Sequence, residues 1–155
     1  MIFTKGDIFD VKTGIICQQV NCMGKMGSGL ALAIRNKWPV VYQDYMKAYK
    51  NGQLVPGFVI LSAVDHRNEL YVANLCGQLH YGRKGRYTIY MAVEECLSKI
   101  AAFNKENLSV YIPYGMSCGL AGGDWSTVSD MISRILPNAI VVDNNEFLTL
   151  REVSS

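Results

Sequence analysis

Proline and histidine are scarce in this 155-residue chain, with four and two copies, and charged residues make up only 18% of it. The formal net charge is +2. So weak a bias gives no indication of a nucleic-acid or membrane partner, since such partners usually select a basic stripe or patch. No apolar run approaches the ~18 residues that span a bilayer. Met1 to Asp7 holds no apolar core of signal-peptide length. The expectation is a cytoplasmic protein. The five cysteines, Cys17, Cys22, Cys76, Cys96 and Cys118, make no C-x-x-C pair, and His66 and His80 are not at ligand spacing with each other. A zinc site needs three or four converging ligands. No metal or other cofactor is therefore expected, and reduced, mostly buried thiols are. No repeat, low-complexity stretch or linker divides the chain, so residues 1–155 are expected to form a single domain, acting as a monomer.

What the chain does have is apolar substance: half its residues are hydrophobic, enough for a full core. Met1–Thr4, the Gly14-Ile15-Ile16-Cys17 run, Phe58–Leu61, Leu70–Leu75, Leu108–Pro113 and Ala139–Val142 read as strands, several of them continuously apolar. Helices are predicted over Leu30–Lys37, stopped by Trp38-Pro39, and over Val40–Tyr49 with Val41, Tyr45 and Ala48 on one stripe. A longer one, with Thr88 as its cap, reaches Phe103 and turns Val93, Cys96, Leu97 and Ile100 inward. Asp124 can cap a last helix that buries Val128, Met131, Ile132 and Ile135. Alternating strands and helices with apolar strands predict an α/β fold: a three-layer α/β/α sandwich around a mixed, largely parallel sheet.

Two glycine-rich loops each follow a strand and precede a helix: Met23–Gly29 and Gly115–Gly123. In such sheets ligands bind beyond the carboxyl ends of the strands, where both loops should lie. Glycines let backbone approach an anion, and a helix start offers unpaired N–H groups. Two facing loops of this kind make a cradle for a diphosphate, or else two tight connectors with no ligand. Neither loop has the G-x-G-x-x-G or G-x-x-x-x-G-K-[ST] spacing. Cys118 sits in a helix-start loop that could lower a thiol pKa. Arg83, Lys84 and Arg86 could meet a phosphate, or form a solvated charged loop.

With these loops in place the chain resembles the macrodomain family over nearly its whole length. Gly6-Asp7-Ile8 resembles the family's opening G-D-I, and Val20-Asn21-Cys22-Met23-Gly24-Lys25-Met26-Gly27-Ser28-Gly29 its first loop. Ile112-Pro113-Tyr114-Gly115-Met116-Ser117-Cys118-Gly119-Leu120 and the following Ala121 to Trp125 resemble its second. It is most similar to the branch that holds ADP-ribose-1''-phosphate phosphatases, a terminal ADP-ribose glycohydrolase and antitoxins that remove ADP-ribose from DNA. The resemblance implies that ADP-ribose or ADP-ribose-1''-phosphate is the ligand. Asp7 and the Ile8 backbone would then hold adenine, with Phe147 packing on the base. Asn21, Gly24, Met26, Gly27, Ser28 and Gly29 would surround the distal ribose, beside Gln78. Ser117, Cys118, Gly119, Leu120, Ala121 and Gly122 would wrap the diphosphate.

Three departures bear on mechanism. Gln78 stands where the deADP-ribosylating relatives have a lysine, Ala121 where the terminal glycohydrolase has an aspartate, and Gln18 where phosphatase-like members have a histidine. Glutamine can neither form a Schiff base nor titrate near neutral pH. The remaining catalytic candidates are Asn21 to orient water, His80 to move a proton, and Asp124. The first expectation is hydrolysis of ADP-ribose-1''-phosphate to ADP-ribose and phosphate. The alternatives are a non-catalytic ADP-ribose reader and a hydrolase that removes ADP-ribose from protein or nucleic acid.

Overall fold

The computed structural model describes residues 1–144, so Phe147 lies outside the described residues. The elements are β1 (Ile2–Lys5), a 3-10 turn (Ile8–Asp10), β2 (Gly14–Val20), α1 (Gly29–Lys37), α2 (Pro39–Lys50), β3 (Val59–Asp65) and β4 (Leu70–Cys76). They continue with α3 (Tyr90–Phe103), β5 (Val110–Pro113), α4 (Trp125–Ile135) and β6 (Ile140–Asp143). The six strands form one sheet in the order β1-β6-β5-β2-β4-β3. Every pairing is parallel except that of β3 with β4, a hairpin whose turn is closed by Asp65 accepting bonds from Asn68. The predicted mixed, largely parallel sandwich is the fold observed.

Strand alternation sorts the core into two layers. On β2, Ile15 and Cys17 face a cluster built with Val93, Cys96, Leu97 and Ile100 of α3 and Val128, Met131 and Ile132 of α4. Ile16 and Val20 face the opposite cluster, with Ile34 of α1 and Val41, Tyr45 and Ala48 of α2. These are the stripes predicted from helical spacing, with Ile135 only half-buried.

Two boundaries differ from the sequence expectation for a physical reason. Pro39 stops α1 and also occupies the first turn of α2, where its missing N–H costs nothing. Thr88 does not cap α3: the helix begins at Tyr90 with Ile89 at the cap position, and the Thr88 hydroxyl is drawn into tertiary hydrogen bonds instead. Among the described residues no helix is long and apolar enough to cross a membrane.

Leu97 is fully buried between the sheet and α4, whereas Met91 on the same helix is 82% exposed. Leu97→Ala is expected to cost about 2–5 kcal/mol in urea unfolding, and Met91→Ala to change stability by less than about 0.5 kcal/mol.

Candidate functional site

Because β1, β6, β5, β2 and β4 run parallel, their carboxyl ends share one edge. Along that edge the sheet order sets out the predicted residues in a row. Asp7 and Ile8 follow β1, the second glycine-rich loop follows β5, the first follows β2, and Gln78 and His80 follow β4. From β1 to β2 is three strand spacings, roughly 14 Å.

At the β1 end the Asp7 carboxylate accepts the Phe9 N–H at 2.9 Å and starts the 3-10 turn, while Ile8 is buried in the core. The turn thus presents Asp7 on a fixed stub of backbone.

The first loop is held by Asn21 and Tyr45. The Asn21 Oδ1 accepts the Met23 N–H at 2.9 Å, and its Nδ2 donates to the Lys25 carbonyl at 2.9 Å. The buried Tyr45 hydroxyl lies 2.7 Å from the Asn21 carbonyl and 2.9 Å from Oδ1, and it accepts the N–H groups of Gly24 and Lys25. Burial pushes the Tyr45 phenol well above its ordinary range, which keeps it a neutral donor. Gly24 has φ +77°, and a Cβ there would lie 2.9 Å from the Tyr49 ring, so glycine is required. Asn21 thus organises the loop with both ends of its amide. Met26 is buried beneath the loop, while Gly27 and Gly29 have open space where a Cβ would be.

The segment after β4 is pinned on both sides. Cys22 N–H donates to the Leu79 carbonyl at 3.1 Å, and the Cys22 thiol reaches the Gln78 carbonyl at 3.3 Å. On the other side, Tyr87 and Thr88 N–H both donate to the Ala121 carbonyl of the second loop. Both ends of the Gln78 amide are engaged: Oε1 accepts from Gln19, and Nε2 donates to the His80 carbonyl, each at 2.8 Å. His80 itself is exposed one residue beyond the pinned stretch.

In the second loop Ser117 has φ +74°, which costs an L-residue about 1–2 kcal/mol. It is buried, its hydroxyl donates to Gln19 Oε1, and its carbonyl accepts from the Thr88 hydroxyl. Leu120 is 62% exposed at the rim. Cys118 is half-buried beside the Asp124 carboxylate, and its thiol is pushed up to about 12, chiefly by desolvation, so the helix start does not activate it. Asp124 stands at the N-cap position of α4, where its carboxylate accepts the hydroxyls of Ser126 (2.6 Å) and Thr127 (3.0 Å). Those bonds hold its pKa below the usual carboxylate value. Its N–H donates to the Tyr90 hydroxyl. Hydrogen bonds therefore link the neighbours of His80 to the first loop, but link Asp124 to α3 and its own helix.

Gln18, by alternation, turns away from Gln19 into the α1–α2 layer, where it donates to Asn74 at 2.8 Å. Sequence reading missed Gln19, Thr88 and Tyr45; the uninterrupted Gln18-Gln19 pair at the end of an apolar strand was the available signal for the first. Charge is also unevenly spread. From Gly77 to Val93 there are three cations and no acid, so the rest of the chain, with twelve cations against thirteen acids, is net −1. Arg83, Lys84 and Tyr81 of this stretch are exposed, and Arg86 lies over the Tyr90 ring at 4.8 Å.

Tyr45→Phe is expected to cost about 1–3 kcal/mol in urea unfolding, since it strips buried partners from Asn21, Gly24 and Lys25. The lowered Asp124 pKa stabilises the fold above the unfolded carboxyl's pKa, and that contribution is lost as pH falls through the lower folded value. Asp124→Asn is therefore expected to lower the melting temperature at neutral pH, with the difference vanishing once acid has protonated the folded carboxyl; parallel melts across pH check this. Cys118 is expected to resist alkylation by iodoacetamide at pH 8, read by mass spectrometry.

Residues 17–132 match the family model described as Macro domain. The chain is 34% identical over 132 residues to a DNA ADP-ribosyl glycohydrolase of Mycobacterium tuberculosis, an alignment covering 84% of this chain and 37% of that protein. The chain thus spans little more than a third of the curated relatives it matches. A protein of unknown function from Bacteroides thetaiotaomicron superposes with a TM-score of 0.81 at 31% identity, covering 92% of this chain and 96% of that one. The macrodomain of Mycobacterium tuberculosis DarG shares the fold, with a TM-score of 0.77 at 23% identity over 92% of this chain and 95% of that one. By its sheet order, its two glycine-rich loops and the match over most of its length, the chain belongs to the Macro domain family.

Proposed function

We propose that this protein binds ADP-ribose along the carboxyl edge of its sheet and hydrolyses a bond to the distal ribose, with ADP-ribose-1''-phosphate as substrate. The observation that carries the reading is the order of the edge. An aspartate, a glycine-rich loop with a buried left-handed serine, a second glycine-rich loop and the Gln78–His80 segment follow one another across β1, β5, β2 and β4. Adenine, diphosphate and distal ribose have the same order, on the same length scale of roughly 14 Å. In this arrangement the backbone N–H groups of the second loop hold the diphosphate, and Asp7 accepts from the adenine amino group.

The chemistry follows from what the site lacks. Gln78 offers no nucleophile, and both ends of its amide are occupied. A substrate for such a site carries a leaving group that departs without much help. Phosphate does so, because it is a stable anion near neutral pH. Water held at the first loop attacks, the bond between the distal ribose and phosphate is hydrolysed, and ADP-ribose and phosphate are released. Preorganised donors and orientation supply the acceleration. His80, exposed beside the first loop, is the proton carrier of this scheme.

A second reading is removal of ADP-ribose from DNA. It is favoured by the relatives' activity and by the basic, acid-free stretch Gly77–Val93 along the edge.

Calorimetry with ADP-ribose, phosphate release from ADP-ribose-1''-phosphate, and ADP-ribose release from an ADP-ribosylated single-stranded oligonucleotide separate these readings. The expected result is binding with phosphate release, and a fall in turnover of at least about a hundredfold in His80→Ala with binding retained. Turnover of the oligonucleotide alone would transfer the assignment to the second reading, and binding without either turnover would leave a reader.

A further inference from the structure

We propose that Gln19 is a positioning residue that holds the two halves of the ligand edge in register; this rests on the ADP-ribose reading above. Alternation along β2 turns Gln19 toward the α3–α4 face at the last step before the first loop. There its amide closes a one-way ring of hydrogen bonds. Gln19 Nε2 donates to Thr88 Oγ1 at 3.0 Å, Thr88 Oγ1 donates to the Ser117 carbonyl at 2.6 Å, and the Ser117 hydroxyl donates back to Gln19 Oε1. The second Nε2 hydrogen goes to Gln78 Oε1 at 2.8 Å, and Gln78 passes the chain on to the His80 carbonyl. One side chain thus joins the second glycine-rich loop to both ends of the connection between β4 and α3, at Gln78 and Thr88.

The ring admits few substitutes. The Thr88 hydroxyl donates once and accepts once, the Ser117 hydroxyl donates, and both amide hydrogens of Gln19 are spent. Glutamate has no hydrogens for Thr88 and Gln78, and methionine has no polar end. A Cβ on Gly77 would fall 2.2 Å from Gln19 Oε1, so the neighbouring strand end has been cleared for this amide. Ser117 keeps its left-handed backbone while its hydroxyl meets Gln19; glycine would adopt φ +74° more readily but could not make the bond.

The consequence is local to one half of the site. Gln19 sets the second loop against the Gln78–His80 segment, the diphosphate and distal-ribose regions, whereas Asp7 lies at β1, three strand positions away. Breaking the ring should weaken ADP-ribose binding more than binding of AMP, which lacks the distal ribose and the second phosphate.

The experiment is calorimetry with ADP-ribose and with AMP, plus thermal melts, on wild type, Gln19→Met, Gln19→Glu, Ser117→Gly and the Gln19→Met/Ser117→Gly double variant. Each single variant is expected to bind ADP-ribose about tenfold more weakly, the scale of one buried hydrogen-bond partner removed, with a clearly smaller loss for AMP. Ser117→Gly should retain the wild-type melting temperature, because glycine relieves the left-handed backbone as the hydroxyl is lost. The double variant should be no weaker than the singles, since one ring is broken once. Wild-type ADP-ribose affinity in Gln19→Met or Ser117→Gly would overturn the role of Gln19 while leaving the ADP-ribose reading intact. Equal losses for both ligands, in step with melting temperature, would reduce Gln19 to a packing residue. A wild-type protein that binds no ADP-ribose would overturn both readings together.

Discussion

Strand β2 pairs in parallel with β4 on one side and β5 on the other, and the site depends on that double pairing. Parallel neighbours bring three chain exits to one level, so the loops after β2, β4 and β5 meet without any long excursion. The strand is almost wholly buried on both faces, so its own polar residues must find partners within the protein. Gln18 does so with its Nε2, which donates to Asn74 in the α1–α2 layer while its buried Oε1 has no partner among the described residues, and Gln19 does so on the other face with Ser117, Thr88 and Gln78. A period of two in the strand thus separates a glutamine that supports the core from one that ties the loops.

The polar side chains of the site are largely committed to holding backbone. Asn21 spends its amide on Met23 and Lys25, Tyr45 on Asn21, Gly24 and Lys25, and Gln78 on Gln19 and His80. What such a site offers a ligand is shaped backbone rather than reactive side chains. Its thiols point the same way: Cys118 is raised to about 12, and Cys17 and Cys96, deep in the core, likewise. Anion recognition by N–H groups and water-based hydrolysis suit this chemistry better than covalent catalysis does.

The sandwich and the sheet edge that carries both glycine-rich loops could be read from sequence because they rest on local rules. Val41, Tyr45 and Ala48, or Val93, Cys96, Leu97 and Ile100, recur at helical spacing, and all are buried where that spacing puts them. The glycine-rich stretches sit between a strand and a helix, and that position in the chain is enough to assign them to the carboxyl edge of the sheet. Thr88 shows where local rules stop. A threonine before an apolar helical stripe reads as a cap, yet its hydroxyl bridges Gln19 and the Ser117 carbonyl, buried partners that the fold brings within its reach. Cys118 is similar: a helix-start loop could lower a thiol pKa, and burial beside Asp124 decides the other way.

The sequence by itself determined the alternation of elements, which face of each helix is buried, and the two glycine-rich loops between strand and helix, since each follows from residues a few positions apart. Only the tertiary structure decided which loops touch, which of two adjacent glutamines faces the ligand edge, and that Gln78, Thr88 and Ser117 share one amide. Those outcomes depend on strand order and register, which bring Gln19 and Ser117, 98 positions apart, within hydrogen-bonding distance.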